Sequence, residues 1–275
     1  MKIGSTIRNM GPAATTSCIT HCASSIESLG LDHVWVVDHI AIPPDDAEGS
    51  NGHWLDPLAV LAFLASHTRT VDLGVCILVL PYRAPLPTAK WIATIQALSG
   101  GRLHFGVGAG WMQAEFDVLG IDRSQRGRIT DETIDFIIRC FEAEDDVVVE
   151  NGQPFLFRPR PPRPPIYVGG MSDAAMRRAV LKGDAWLPMG GLAPHKLVRR
   201  VEKLSEFAEE AGRPVPEIVM LGALPESQDE AVDRVAQCAV LGATHYIQSS
   251  RYETETEFDA LAERLADLKR QLTCT

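Results

Sequence analysis

No stretch of this chain approaches the roughly 18 consecutive apolar residues that a membrane-spanning helix needs. The N-terminus passes from Met1-Lys2 directly into Ile3-Gly4-Ser5, without an apolar signal core. The expectation is a cytoplasmic protein without a membrane partner. Basic charge is scarce as well: 26 Lys and Arg stand against 36 Asp and Glu, for a net charge of -10. The basic clusters, Arg158-Pro159-Arg160 with Arg163 and Arg199-Arg200, are short. Nucleic acid and anionic membrane surfaces are held by clustered Lys and Arg, so neither is expected as the main partner.

Cysteine is sparse and scattered: Cys18, Cys22, Cys76, Cys140, Cys238 and Cys274. In an intracellular-looking chain this reads as free thiols, not as a disulfide framework. Cys18 and Cys22 stand one helical turn apart with His21 between them, but no second ligand pair completes a four-ligand zinc site, and no metal is expected. Also missing are a Gly-x-Ser-x-Gly elbow, a His-Glu-x-x-His helix and a phosphate-binding Walker loop. Hydrolase and kinase readings lose their usual support.

What is present is apolar and periodic. With 275 residues and 45% hydrophobic composition the chain can bury a large core, either one α/β barrel or two smaller domains. Val71 to Phe116 carries the clearest unit. Leu73 to Leu78 and Leu103 to Val107 are continuous apolar runs suited to strands buried on both faces, and Pro85 to Leu98 reads as the helix between them, closed by Ser99-Gly100-Gly101. The same rhythm extends both ways. Before this unit stand strands at Lys2 to Thr6 and Val34 to Val37 and helices at Thr15 to Leu29 and Asp56 to His67, with a long loop from Asp38 to Leu55. After it come a long loop from Gly110 to Gln125 and a helix from Arg128 to Glu144. Next is a hairpin, Val147 to Phe157, turning on Asn151-Gly152.

The five prolines between Arg158 and Pro165 suggest an extended connection, and because the βα rhythm resumes beyond them, residues 146–165 read as an insertion within one domain covering 1–275. Strands at Ile166 to Val168, Ala185 to Leu187, Ile218 to Leu221 and Tyr246 to Gln248 then alternate with helices at Ser172 to Lys182, Pro194 to Ala211, Gln228 to Leu241 and Glu255 to Leu272. Eight strands alternating with eight helices predict a (β/α)8 TIM barrel, although the count also fits an open doubly wound sheet. In a barrel, the loops after the strands build the active face.

Three such loops carry chemistry. Asp38-His39 follows the second strand: a histidine here can exchange a proton with a heteroaromatic ligand while a carboxylate fixes its tautomer, or the pair only ties down the loop. Gly169-Gly170-Met171-Ser172 leads into a helix, which is either a phosphate cradle or a tight turn with a Ser cap. Gly106-Val107-Gly108-Ala109-Gly110 lacks the Gly-x-Gly-x-x-Gly spacing and is followed by a loop, so it is no dinucleotide motif; its glycines leave room for a flat ring near the backbone. Trp54 and Trp111 are either pocket walls or plain core.

The stretches Val34 to Ile40, Leu73 to Trp111 and Pro164 to Gly190, in that order, resemble the luciferase-like monooxygenase superfamily, and in particular its branch of deazaflavin F420-dependent oxidoreductases. The resemblance implies a bacterial luciferase-like barrel that holds F420, or alternatively FMN, at its C-terminal face and acts on a small organic substrate, often as a homodimer. By the same resemblance Asp38 and His39 contact the ring, with His39 the catalytic proton donor or orienter. Cys76-Ile77 matches a cis peptide bulging against the ring, Gly108 lies near it, and Gly169, Gly170, Met171 and Ser172 hold the phosphate. Two positions depart from the pattern. Ala109 stands where the sugar-phosphate dehydrogenases of the superfamily carry a glutamate, which argues against sugar-phosphate oxidation, and Gln96 replaces a common Asp. The competing readings are an FMN-dependent monooxygenase that activates O2 and a noncatalytic flavin-binding barrel.

Overall fold

The computed structural model describes residues 1–47, 49–189 and 194–273; Gly190, which ends one of the resembling stretches, and Cys274 lie outside them. In chain order the elements are β1 (Lys2–Thr6), α1 (Thr16–Ser28), β2 (His33–Val36), α2 (Pro57–His67), β3 (Asp72–Val79), α3 (Pro85–Leu98) and β4 (Leu103–Gly108). They continue with α4 (Gln113–Leu119), α5 (Arg126–Glu142), β5 (Val147–Glu150), β6 (Gln153–Leu156), β7 (Ile166–Gly169), α6 (Asp173–Lys182) and β8 (Ala185–Leu187). The last are α7 (Pro194–Glu210), β9 (Glu217–Gly222), α8 (Gln228–Val240), β10 (Ala243–Gln248) and α9 (Glu255–Thr273).

Eight parallel strands close in the order β1-β10-β9-β8-β7-β4-β3-β2. Closure decides between the two architectures that the alternation allowed: this is a (β/α)8 barrel and not an open sheet. Strands such as β2 and β7 are apolar at almost every position because one face meets the helices and the other the barrel interior. The helices supply the outer layer through one face each; α5 buries Thr130, Thr133, Ile134, Ile137, Cys140 and Phe141 at spacings of three and four. The hairpin β5–β6 pairs only with itself and stands between α5 and β7, outside the barrel. Its turn has positive φ at both Asn151 (50°) and Gly152 (76°), the conformation an Asn-Gly turn adopts most readily.

One expected loop is a helix. Gln113–Leu119 lies within the stretch from Gly110 to Gln125. Its N-cap residue, Met112, makes no side-chain cap bond, and the helix is only seven residues long, so it shows neither a start signal nor an apolar period. Its end at Gly120, with φ 67°, is the one ordinary signal it carries.

At the N-terminal end of the barrel three histidines meet. Trp35 Nε1 donates to His33 Nδ1 at 2.7 Å, and His104 bridges the Tyr167 hydroxyl at 2.6 Å and Asp72 at 3.1 Å. The rings of His33 and His245 lie 5.6 Å apart, and the Nε2 atoms of both are buried with no hydrogen-bond partner among the described residues. Burial, reinforced by the neighbouring histidines, pushes His33 well below its ordinary range and His245 down to about 4; Lys2 adds to this, while Asp72 opposes it. The folded barrel therefore keeps these imidazoles neutral where the unfolded chain, titrating near 6.5, takes up protons. Stability is expected to fall as pH drops from about 6.5 toward 4, by roughly 3 kcal/mol for His245 alone at 1.36 kcal/mol per unit. Urea unfolding at pH 7 and at pH 5 checks this; equal midpoints would show that the layer does not titrate.

Candidate functional site

The loops at the C-terminal mouth enclose a cavity of about 450 Å³. Asp38, His39, Cys76, Ile77, Gly108, Gly169, Gly170 and Ser172 all line it, so eight of the nine residues singled out from the sequence converge on one space. Met171 does not; it packs against the hydrophobic core beneath. The Cys76-Ile77 peptide is cis, at the point where the β3–β4 register shifts. The Ile77 side chain lies between the ends of two strands. A Cβ added at Gly108 would stand 2.5 Å from its Cδ1, and one added at Gly169 would stand 2.5 Å from its Cγ2. Ile77 thus packs directly against both glycines, and together the three form an apolar floor. Cys76, wholly buried, has its thiol pushed up to about 12 and stays protonated.

His39 is held from a direction the sequence did not suggest. Its Nδ1 lies 3.1 Å from Oε2 of Glu115, a residue of α4 that is 1% exposed. The same carboxylate accepts from the Tyr82 hydroxyl at 2.7 Å and from the backbone N–H groups of Ile40 and Ala41 at 2.6 and 3.1 Å. Burial disfavours the ionised carboxylate, but those four donors outweigh it and bring Glu115 down to about 2. An ionised carboxylate only accepts, so Nδ1 carries the hydrogen and Nε2 is the ring nitrogen left free of this bond. Trp54 and Trp111 stand edge-on to the imidazole, at 4.7 and 6.2 Å between centroids. Trp111 also lines the cavity and so belongs to the site, whereas Trp54 is not a lining residue and meets the site through its contact with His39.

Asp38 does not fix the tautomer of its neighbour. Its carboxylate faces Arg83, with Nη1 and Nη2 at 2.7 and 2.8 Å, and accepts from Val79 N at 2.9 Å. Burial raises its proton affinity, and the guanidinium opposes this. Arg83 also reaches Asp56 at 2.9 Å, so the pair ties the β2 loop to the start of α2.

At the phosphate-cradle candidate the structure shows the serine cap. Ser172 caps α6 by accepting from Ala175 N at 3.2 Å, and it also lines the cavity. Asp173, the first residue of α6, pairs with Lys203 of α7 at 2.5 Å. Two arginines join the lining, Arg126 and Arg178. Asp131 neutralises Arg178 at 2.7 Å. Arg126 donates to the carbonyl of Arg123 at 3.0 Å and has no carboxylate partner among the described residues. A helix N-terminus, a serine and a guanidinium without a carboxylate partner among the described residues thus border the same cavity, and groups of this kind favour an anion.

The model of the family described as luciferase-like monooxygenase matches residues 3–273. The chain belongs to that family. Among its relatives, uncharacterized protein Rv0940c of Mycobacterium tuberculosis is 30% identical over 212 residues, 70% of this chain and 72% of that protein. A 5,10-methylenetetrahydromethanopterin reductase of Methanolobus tindarius is 30% identical over 207 residues, 73% of this chain and 58% of that protein. Among solved structures, monooxygenase RslO1 from Streptomyces bottropensis superposes with a TM-score of 0.80 at 21% identity, covering 99% of this chain and 100% of that one. An F420-dependent secondary alcohol dehydrogenase in complex with an F420-acetone adduct gives 0.68 at 24% identity, covering 98% and 83%. These structures share the luciferase-like fold.

Within this luciferase-like barrel, sequence reasoning missed Glu115, Tyr82, Arg126 and Arg178, all of which line the cavity. A glutamate does reach the cavity despite Ala109, but from α4 and as the partner of His39. Its signal was one of three acidic residues, with Asp117 and Asp122, in an otherwise loop-like stretch, too weak to mark it as a site residue.

Proposed function

We propose that the chain is an F420-dependent oxidoreductase that passes a hydride between the deazaflavin C5 and a small organic substrate. The observation that carries this reading is that one cavity combines a flat apolar floor, Ile77 against Gly108 and Gly169, with an anion cradle at Ser172 and Arg126. A ring bearing a phosphate-linked tail needs both, and about 450 Å³ falls within the range of small-molecule sites. When bound, F420 would supply the hydride chemistry. The chain's own part is to hold and to protonate. Arg126, Ser172 and the first turn of α6 take the phosphate, the floor keeps water from one face, and His39, oriented through Nδ1 by Glu115, offers Nε2 for the proton that accompanies the hydride. A small organic molecule as substrate, a homodimer as the working unit and the cytoplasm as its place belong to the same proposal. So does the absence of metal from the chemistry.

A second reading, an FMN-dependent monooxygenase that activates O2, is favoured by the same cradle, which suits the single phosphate of FMN equally. Fluorescence titration of the purified protein with F420 and with FMN separates the two: F420 is expected to bind, and tight FMN binding without F420 binding would overturn the first reading. His39→Ala is expected to leave cofactor affinity within about threefold and to lower turnover about 100-fold, the low end for a general acid. Unchanged turnover would remove His39 from proton transfer.

A further inference from the structure

A second cavity, of about 600 Å³, opens at the same mouth and shares Val37, Cys76 and Met189 with the first. Two arginines line it, Arg8 after β1 and Arg251 after β10, and no Asp or Glu among the described residues does. In a chain of net charge -10 this asymmetry is informative. The other arginines of the mouth whose charge is compensated, Arg83 and Arg178, sit against Asp38 and Asp131. Among the described residues Arg8 meets neutral acceptors only: Nη1 donates to the Tyr252 carbonyl at 2.8 Å and Nη2 to the Gly49 carbonyl at 2.9 Å, while Nε is buried with no partner among them. These bonds position the guanidinium without neutralising it. Arg251 is exposed and makes no hydrogen bond or ion pair among the described residues. The remaining wall is largely apolar, with Ile7, Met10, Met189 and Leu221. Ser250 adds little polarity, because its hydroxyl bonds that of Ser5.

We infer that this second cavity receives the substrate and that the substrate is an organic carboxylate with an apolar body. Two fork-shaped donors match a planar carboxylate, and an uncompensated pair of cations disfavours a neutral or cationic occupant. The apolar body lies against Ile7, Met10 and Leu221, and the wall at Val37 and Cys76 brings its far end beside the first cavity. The inference rests on reading that first cavity as the cofactor site.

The test compares 4-phenylbutyrate, 4-phenylbutanol and inorganic phosphate by calorimetry on the wild type and on Arg251→Gln, with F420 and FMN titrated into the same preparations. Arg251 is exposed, so its replacement leaves the fold alone. Phenylbutyrate is expected to bind the wild type about tenfold more tightly than the alcohol and to weaken about tenfold in the variant, with cofactor affinity unchanged. No binding of phenylbutyrate, equal binding of the alcohol or equal binding in the variant would overturn the inference. So would phosphate binding as tightly as phenylbutyrate, which would mark a bare anion site. A matching loss of cofactor affinity in Arg251→Gln would overturn it too, by giving the arginines to the cofactor. If neither cofactor binds while phenylbutyrate binding still depends on Arg251, the proposed function falls and the carboxylate site stands.

Discussion

Glu115→Ala is expected to cost the fold about 4 kcal/mol and to release the loop that carries His39. Four donors end on this carboxylate: the Tyr82 hydroxyl, His39 Nδ1 and the Ile40 and Ala41 N–H groups. Alanine leaves all four without an acceptor in a site where Glu115 itself is 1% exposed. An orphaned buried donor costs about 1–3 kcal/mol, and water entering the space left behind recovers part of that sum. Glu115→Gln is no remedy, because its amide offers one acceptor oxygen and must turn its NH2 toward donors. The effect has a pH signature. Glu115 ionises near 2 in the folded chain and near 4.5 when unfolded, so its contribution is complete above about 4.5 and is lost as pH falls toward 2. Urea unfolding of wild type and variant at pH 7 and at pH 3 would show a gap that narrows in acid. A gap below about 1 kcal/mol at pH 7 would mean that the four bonds add nothing beyond what water provides.

That carboxylate also shows where the sequence stopped being legible. The barrel was readable because several strands, such as Leu73 to Leu78 in β3, are apolar runs and long helices such as α5 bury one apolar face, patterns set by short-range packing. The site residues at or just after strand ends, His39, Gly108 and Gly169, were readable for the same reason, since a barrel brings strand ends together whatever the loops do, while Ile77, inside β3, came from the family resemblance. Glu115, Arg126 and Arg178 reach the cavity from helices, and which helix face meets the mouth depends on how the long loops pack. Met171 fails in the opposite sense: it lies inside the Gly169 to Ser172 run, yet its side chain turns into the core. Asp38 was placed correctly at the mouth, but its partner Arg83 lies 45 positions away, beyond the reach of local pattern.

The two glycines of β4 look alike in sequence, and the structure gives them separate tasks that two substitutions distinguish. A Cβ at Gly106 would lie 1.9 Å from the backbone oxygen of Val75, in the neighbouring strand β3. No rotamer change can relieve a clash with backbone, so β3 and β4 must part where the barrel is closed. Gly106→Ala is therefore expected to cost about 4 kcal/mol or more, above the usual overpacking range, and to lower the melting temperature by about 10 °C. At Gly108 the nearest atom is Ile77 Cδ1, the tip of a side chain that can swing aside. Gly108→Ala is expected to leave stability within about 1 kcal/mol, the smaller cost of a contact that side-chain movement relieves. Ile77 must then shift on the cavity floor, and cofactor titration should weaken. Thermal melts and titrations on both variants give the answer: a Gly106→Ala protein that melts with the wild type would show that β3 and β4 can separate at no cost. Equal cofactor binding by Gly108→Ala would show that the floor tolerates a moved Ile77. The contrast assigns the first glycine to barrel closure and the second to the surface on which a flat ring would rest.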